Sequence, residues 1–112
     1  GLVVSTPSGS TAQNLSIGGP ILQSEVSAIV MSAISPHSLT FRPLVVAGTS
    51  AIEVLVRQAN HGTMLVIDGQ VTVPLTVGDR VQIGRSPHHF QLVHNPTQTR
   101  WYTLTEKLHW GR

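Results

Sequence analysis

From Ala51 onward, β-branched residues recur at every second position in short runs, and this period constrains the fold more than any other feature of the chain. In Ala51 to Arg57, Ile52, Val54 and Val56 alternate with Glu53, Leu55 and Arg57. Side chains of an extended strand point alternately to its two faces, so this spacing predicts a strand with one face toward a core. Met64 to Ile67 and Gln70 to Leu75 flank Asp68-Gly69. An Asp-Gly pair between two such runs predicts a hairpin, because a tight primed turn needs positive φ, which Gly accepts. Val77-Gly78-Asp79 marks a second turn. Val81 and Ile83 mark a further strand, and Phe90 and Leu92 another. Many short strands separated by turns predict a mainly β domain of sandwich-like or barrel-like form. The tail, Tyr102 to Trp110, reads equally as a strand or one short helix.

The first fifty residues add one helix to this pattern. Leu2 to Ser5 reads as a short buried strand, broken by Thr6-Pro7-Ser8-Gly9. Ser10 to Ile17 is expected to be a short helix capped by Ser10 or Thr11 and stopped by Gly18-Gly19-Pro20. Ile29 to Met31 is an apolar run and reads as a strand. The expected fold is therefore mainly β, a sandwich-like arrangement of many short strands with one short helix after the first. At 112 residues the chain is expected to form a single domain, 1–112, large enough for a core without staples.

Composition limits the partners. Charged residues make up only 11% of the chain and apolar ones 40%; Ser, Thr, Gly, Pro and Gln fill the difference. So few charges on a small domain imply that another domain or subunit covers part of the surface. The net charge is +2, and Arg42, Arg57, Arg80, Arg85, Arg100, Lys107 and Arg112 are spread along the chain, so no nucleic-acid tract is present. There is no cysteine, hence no disulfide and no thiolate chemistry, which fits a cytoplasmic protein. No apolar run approaches the roughly 20 residues that span a bilayer, so no membrane partner is expected. No signal peptide is visible. The chain opens inside an apolar run, Gly1-Leu2-Val3-Val4, as an excised piece of a longer protein would.

Six histidines, His37, His61, His88, His89, His94 and His109, raise a metal site. None has the His-Glu-x-x-His spacing, no cysteine assists, and turn or surface positions explain them better. The five acidic residues are Glu25, Glu53, Asp68, Asp79 and Glu106. They form no evident pair for general acid–base work, and Gly-x-Ser-x-Gly is absent. No catalytic residue is assigned.

The segment Ser5 to Ser16 is the strongest local feature. Ser5, Thr6, Ser8, Ser10 and Thr11 can each donate and accept a hydrogen bond, Gly9 lets a ligand approach the backbone, and a helix opens behind them. Strand, glycine-containing turn and helix start form a general nucleotide cradle. The same residues also make an ordinary capped turn, and local chemistry alone favours that reading.

Longer blocks narrow the choice. Gly1-Leu-Val-Val-Ser-Thr-Pro-Ser-Gly-Ser-Thr-Ala-Gln13-Asn-Leu-Ser16, continuing into Gly18-Gly19-Pro20-Ile21, closely resembles the Thr-Pro-Thr-Gly-Ser-Thr-Ala-Tyr signature of NAD kinases. The similarity continues through Ser35-Pro-His-Ser-Leu-Thr-Phe-Arg-Pro-Leu44. It resumes at Ile67-Asp-Gly-Gln70, Gly78-Asp79 and Arg85-Ser-Pro87, and ends at Lys107-Leu-His-Trp-Gly111. These blocks follow the family's order along nearly the whole chain.

The resemblance implies the C-terminal domain of an enzyme that phosphorylates the 2′-hydroxyl of NAD's adenosine ribose to give NADP. ATP or polyphosphate is the donor, and a divalent metal, Mg, is expected in the full enzyme. The family's Gly-Gly-Asp-Gly motif and its ribose-holding Asn-Glu pair lie in an N-terminal domain, and neither occurs here. This chain is thus expected to be inactive alone and to bind no cofactor by itself. By position, Ser8, Thr11, Ala12, Gln13 and Ser16 are expected to contact NAD. Thr11 and Ala12 would line the adenine side, and Ser16 would reach the nicotinamide carboxamide. Gln13 stands where the family usually has Tyr. Ser35 and His37 match a segment that reaches a neighbouring subunit's NAD, so a homo-oligomer, dimer or tetramer, is implied. Asp68 and Gly69 match a turn near the phosphate region, and Arg42 is a further candidate there. Two alternatives stay open: a freestanding dinucleotide-binding module without catalysis, and the C-domain of a related lipid or diacylglycerol kinase.

Overall fold

The computed structural model describes residues 1–11, 13–34, 41–88, 107–109 and 111, with the backbone alone at 11 and 13. Among these residues the chain is mainly β, with seven strands, one 3₁₀ turn and one short α-helix. It divides into two compact units, Thr49–Arg85 and the remainder. The strand expected at Phe90 and Leu92, and most of the tail from Tyr102, lie outside the described residues.

The first unit holds an antiparallel sheet of β1 (Leu2–Ser5), β2 (Ala28–Ala33) and β3 (Leu44–Ala47), in the order β1-β2-β3. β2 is central, and Val30 pairs with Ser5 on one side and Val45 on the other. Ala28, Ile29, Val30 and Ser32 are buried on this strand. The apolar run expected as a strand at Ile29 to Met31 is therefore longer at both ends. β3 was not expected: Leu44-Val45-Val46-Ala47 is too short and too uniformly apolar to show a period, and its pairing with β2 defines it.

Between β1 and β2 the chain makes a 3₁₀ turn, Ser8–Thr11, and one turn of helix, α1 (Gln13–Ser16). This replaces the continuous helix expected over Ser10 to Ile17, and the Ser10 hydroxyl bonds Pro7 O and the Leu22 amide instead of capping it. Thr6 Oγ1 accepts the Gly9 amide at 3.2 Å, so Thr6 caps the turn from just outside it, with Pro7 between them and Ser8 in the first position. The stop falls where expected. Gly18 has φ +81°, its amide bonds Leu15 O at 3.0 Å, and the Gly19 amide bonds Asn14 O at 2.9 Å. This pair of bonds around a left-handed residue is a Schellman motif, and Gly meets its φ without a steric penalty.

The second unit holds two antiparallel pairs. β4 (Ile52–Leu55) pairs with β7 (Arg80–Ile83), placing Ile52 opposite Ile83 and Val54 opposite Val81. These four side chains are half-buried, while Glu53, Leu55, Arg80 and Gln82 on the other face are exposed. The alternation read from the sequence is thus the alternation of burial. Arg80 Nη1 meets Glu53 Oε1 at 3.3 Å, with side chains 65% and 46% exposed, so solvent screening leaves this ion pair a small contribution.

β5 (Met64–Ile67) and β6 (Val71–Pro74) form the expected hairpin. Asp68 has φ 51° and Gly69 φ 68°, the two positive values that a type I′ turn requires, and the Gln70 amide closes it on Ile67 O at 3.0 Å. Leu65 pairs with Val73 and Ile67 with Val71, so one face of the hairpin is entirely apolar. Ile67, Val71 and Val73 remain exposed on it. The low charge content foreshadowed such a surface.

Candidate functional site

The loop from Thr6 to Leu22 is held by polar side chains turned inward. Ser10 is fully buried; its hydroxyl donates to Pro7 O at 2.7 Å and accepts the Leu22 amide at 2.9 Å. Asn14 is also fully buried; its amide group donates to Pro20 O at 3.0 Å, and its carbonyl oxygen accepts the Ser32 hydroxyl at 2.7 Å. Each side chain ties the outgoing limb of the loop to a distant strand or limb, and each buried polar atom named here is matched. The Ser5 hydroxyl differs: it is buried, with no hydrogen-bond partner.

Two of the residues singled out for NAD stand at outward-facing positions on the same loop. Ser8 opens the 3₁₀ turn and Ser16 closes α1, and both are exposed. Thr11 ends the 3₁₀ turn and Gln13 begins α1. Ala12, between them, lies outside the described residues. So do Ser35 and His37. Arg42 is exposed in the segment entering β3. Asp68 and Gly69 form the hairpin tip of the second unit and are exposed.

One expectation needs correction. With α1 only four residues long, few peptide dipoles align, so the helix start supplies little field for an anion. Hydroxyls and backbone groups of the loop remain its polar resources. Sequence reading also missed Asn14 and Ser32. A signal existed for Ser32, a lone hydroxyl inside the apolar run of β2, which a buried strand tolerates only with a partner. Among the described residues no group of three metal-ligating side chains forms, and no helix is long and apolar enough to cross a membrane.

The family model for the ATP-NAD kinase C-terminal domain matches residues 1–95. The chain belongs to the NAD kinase family. It is 49% identical over 111 residues to an NAD kinase of Rhodopirellula baltica, covering 99% of this chain and 36% of that protein. It is 44% identical to an NAD kinase of Nitrosococcus oceani, covering 100% of this chain and 39% of the relative. Among solved structures it resembles yeast NADH kinase complexed with NADH, with a TM-score of 0.82 and 28% identity over 98% of this chain and 35% of that one. It also resembles an NAD kinase from Archaeoglobus fulgidus in complex with ATP, with a TM-score of 0.67 and 30% identity over 77% of this chain and 32% of that one. The chain thus spans little more than a third of the length of the NAD kinases it matches.

Proposed function

We propose that this chain is the C-terminal portion of an NAD kinase and that its Ser8–Ser16 loop forms one wall of the NAD site. The observation that carries the reading is the inward fastening of Ser10 and Asn14, with Ser8 and Ser16 outward on the same loop, in a chain matched over 98% of its length to a kinase complexed with NADH. In the full enzyme, phosphate passes from ATP or polyphosphate to the 2′-hydroxyl of the adenosine ribose. Phosphoryl transfer depends chiefly on holding the acceptor in line with the donor, so a fixed wall is itself a contribution to rate.

On this reading Thr11 and Ala12 line the adenine side, Gln13 replaces a stacking ring with an amide, and Ser16 bonds the nicotinamide carboxamide. Asp68, Gly69 and Arg42 serve the phosphate region, and Ser35 and His37 serve a neighbouring subunit's NAD. The exposed apolar face of Ile67, Val71 and Val73 supports a homo-oligomer, since such a face is disfavoured in water. A cytoplasmic location fits the substrates. This chain supplies no base; it binds and orients.

The test compares the 112-residue chain with the same residues expressed behind the preceding portion that the relatives carry. NADP formation from NAD with ATP or polyphosphate is measured for both. Turnover by the longer protein alone is expected. Turnover by the short chain would overturn the division of labour, and its absence from the longer protein would overturn the assignment. Calorimetric titration with NAD and with diacylglycerol separates the lipid-kinase alternative.

A further inference from the structure

We propose that Asn14, through Ser32, is a positioning residue that sets the geometry of the NAD-facing loop without touching NAD. The inference rests on the functional reading above.

The loop cannot hold its own shape. A four-residue helix lies far below the length at which helices persist in water, because forming the first turn restricts several residues for a single hydrogen bond. The 3₁₀ turn before it is equally short. Something beyond local propensity must set where Ser8, Thr11, Gln13 and Ser16 stand.

Two inward side chains do so. Ser10 joins the first turn to the returning limb at Leu22. Asn14 joins the second turn to that limb at Pro20 and to the central strand at Ser32, 18 residues away. The Asn14 contact with Ser32 reaches the central strand, so Asn14 refers the loop to the sheet. Full burial keeps its amide from any ligand. The packing confirms how closely this side chain is enclosed. A Cβ added at Gly19 would run into the Asn14 amide, so a side chain at Gly19 is incompatible with Asn14 in its place.

A residue that merely stabilises the fold and one that positions a ligand wall differ in what their loss changes. Asn14→Leu keeps the approximate size and removes both hydrogen bonds, leaving the Ser32 hydroxyl and Pro20 O without their partner. Ser32→Ala removes one bond and leaves the Asn14–Pro20 contact. Val30→Ala, two residues along the same strand, opens a cavity and leaves every polar contact of the loop in place.

These three variants are made in the longer protein, and KM for NAD, KM for ATP, kcat and Tm are measured for each. Asn14→Leu is expected to raise KM for NAD about tenfold, and Ser32→Ala about threefold, by the loss of buried hydrogen bonds. KM for ATP should stay within about twofold, a change too small to reflect one lost hydrogen bond. Val30→Ala should lower Tm and leave KM for NAD unchanged. If Asn14→Leu does not fold, Ser32→Ala carries the test. The proposal is overturned if the loop variants lower Tm as Val30→Ala does while KM for NAD stays at the wild-type value. It is likewise overturned if both nucleotide KM values rise together. A wild-type protein that forms no NADP would instead overturn the functional reading, and the proposal with it.

Discussion

Thr6 Oγ1 accepts the amide of Gly9 at 3.2 Å, which makes Thr6 the cap of the turn that carries the signature loop. A cap of this kind is worth about 1 kcal/mol, since it satisfies an amide that no helical carbonyl reaches. Thr6→Ala is therefore expected to lower stability in chemical denaturation by about that amount, and Thr6→Ser to retain most of it. Equal losses from the two substitutions would show that the methyl group, rather than the hydroxyl, is what matters.

Ser10 is the more costly hydroxyl. It is fully buried and serves both Pro7 O and the Leu22 amide. Ser10→Ala leaves a backbone donor and an acceptor without this partner, at a cost of about 1–3 kcal/mol. The melting midpoint of Ser10→Ala should fall below that of Thr6→Ala, because water can reach the exposed Thr6 site and replace its bond.

The hairpin tip tests backbone conformation alone. Gly69 has φ 68° and Asp68 φ 51°. Gly69→Ala places a Cβ in the left-handed region and should destabilise by about 1–2 kcal/mol. Asp68→Asn should be neutral or slightly stabilising, since Asn is also favoured at this turn position. Thermal unfolding of the two variants reads both effects, and a neutral Gly69→Ala would refute the conformational argument.

Gln13 begins α1 and, on the proposed reading, replaces the Tyr of the signature that this loop resembles. A stacked aromatic ring adds about 0.5–1.5 kcal/mol beyond its buried area. Gln13→Tyr in the longer protein is expected to lower KM for NAD by roughly twofold to tenfold, by that energy converted to a ratio. An unchanged KM would show that this position does not stack on the nucleotide.

The parts of the fold legible in the sequence are those that short-range geometry dictates. The Asp68-Gly69 hairpin, the Gly18-Gly19 stop and the alternation around Ile52 and Val54 each follow from a backbone angle or a two-residue period. β3 stayed hidden because four apolar residues have no period to read. The Thr6 cap of the 3₁₀ turn and the inward role of Ser10 stayed hidden because any hydroxyl in this run can cap, and only the chain's path decides which one faces an open amide. Of the residues singled out for NAD, Ser8 and Ser16 face outward on the loop, while Ser10, beside them in the same run of hydroxyls, faces in.

The sequence by itself determined the membership in the NAD kinase family, the mainly β character and the positions of the sharp turns, because these depend on local chemistry and residue order. Tertiary structure alone decided which polar side chains leave water. Asn14 and Ser32 are 18 residues apart; the lone hydroxyl in the apolar run of β2 calls for a partner, but nothing local to either residue names the other. A buried amide or hydroxyl is tolerated only with a partner, and that partner is set by the path of the chain through space.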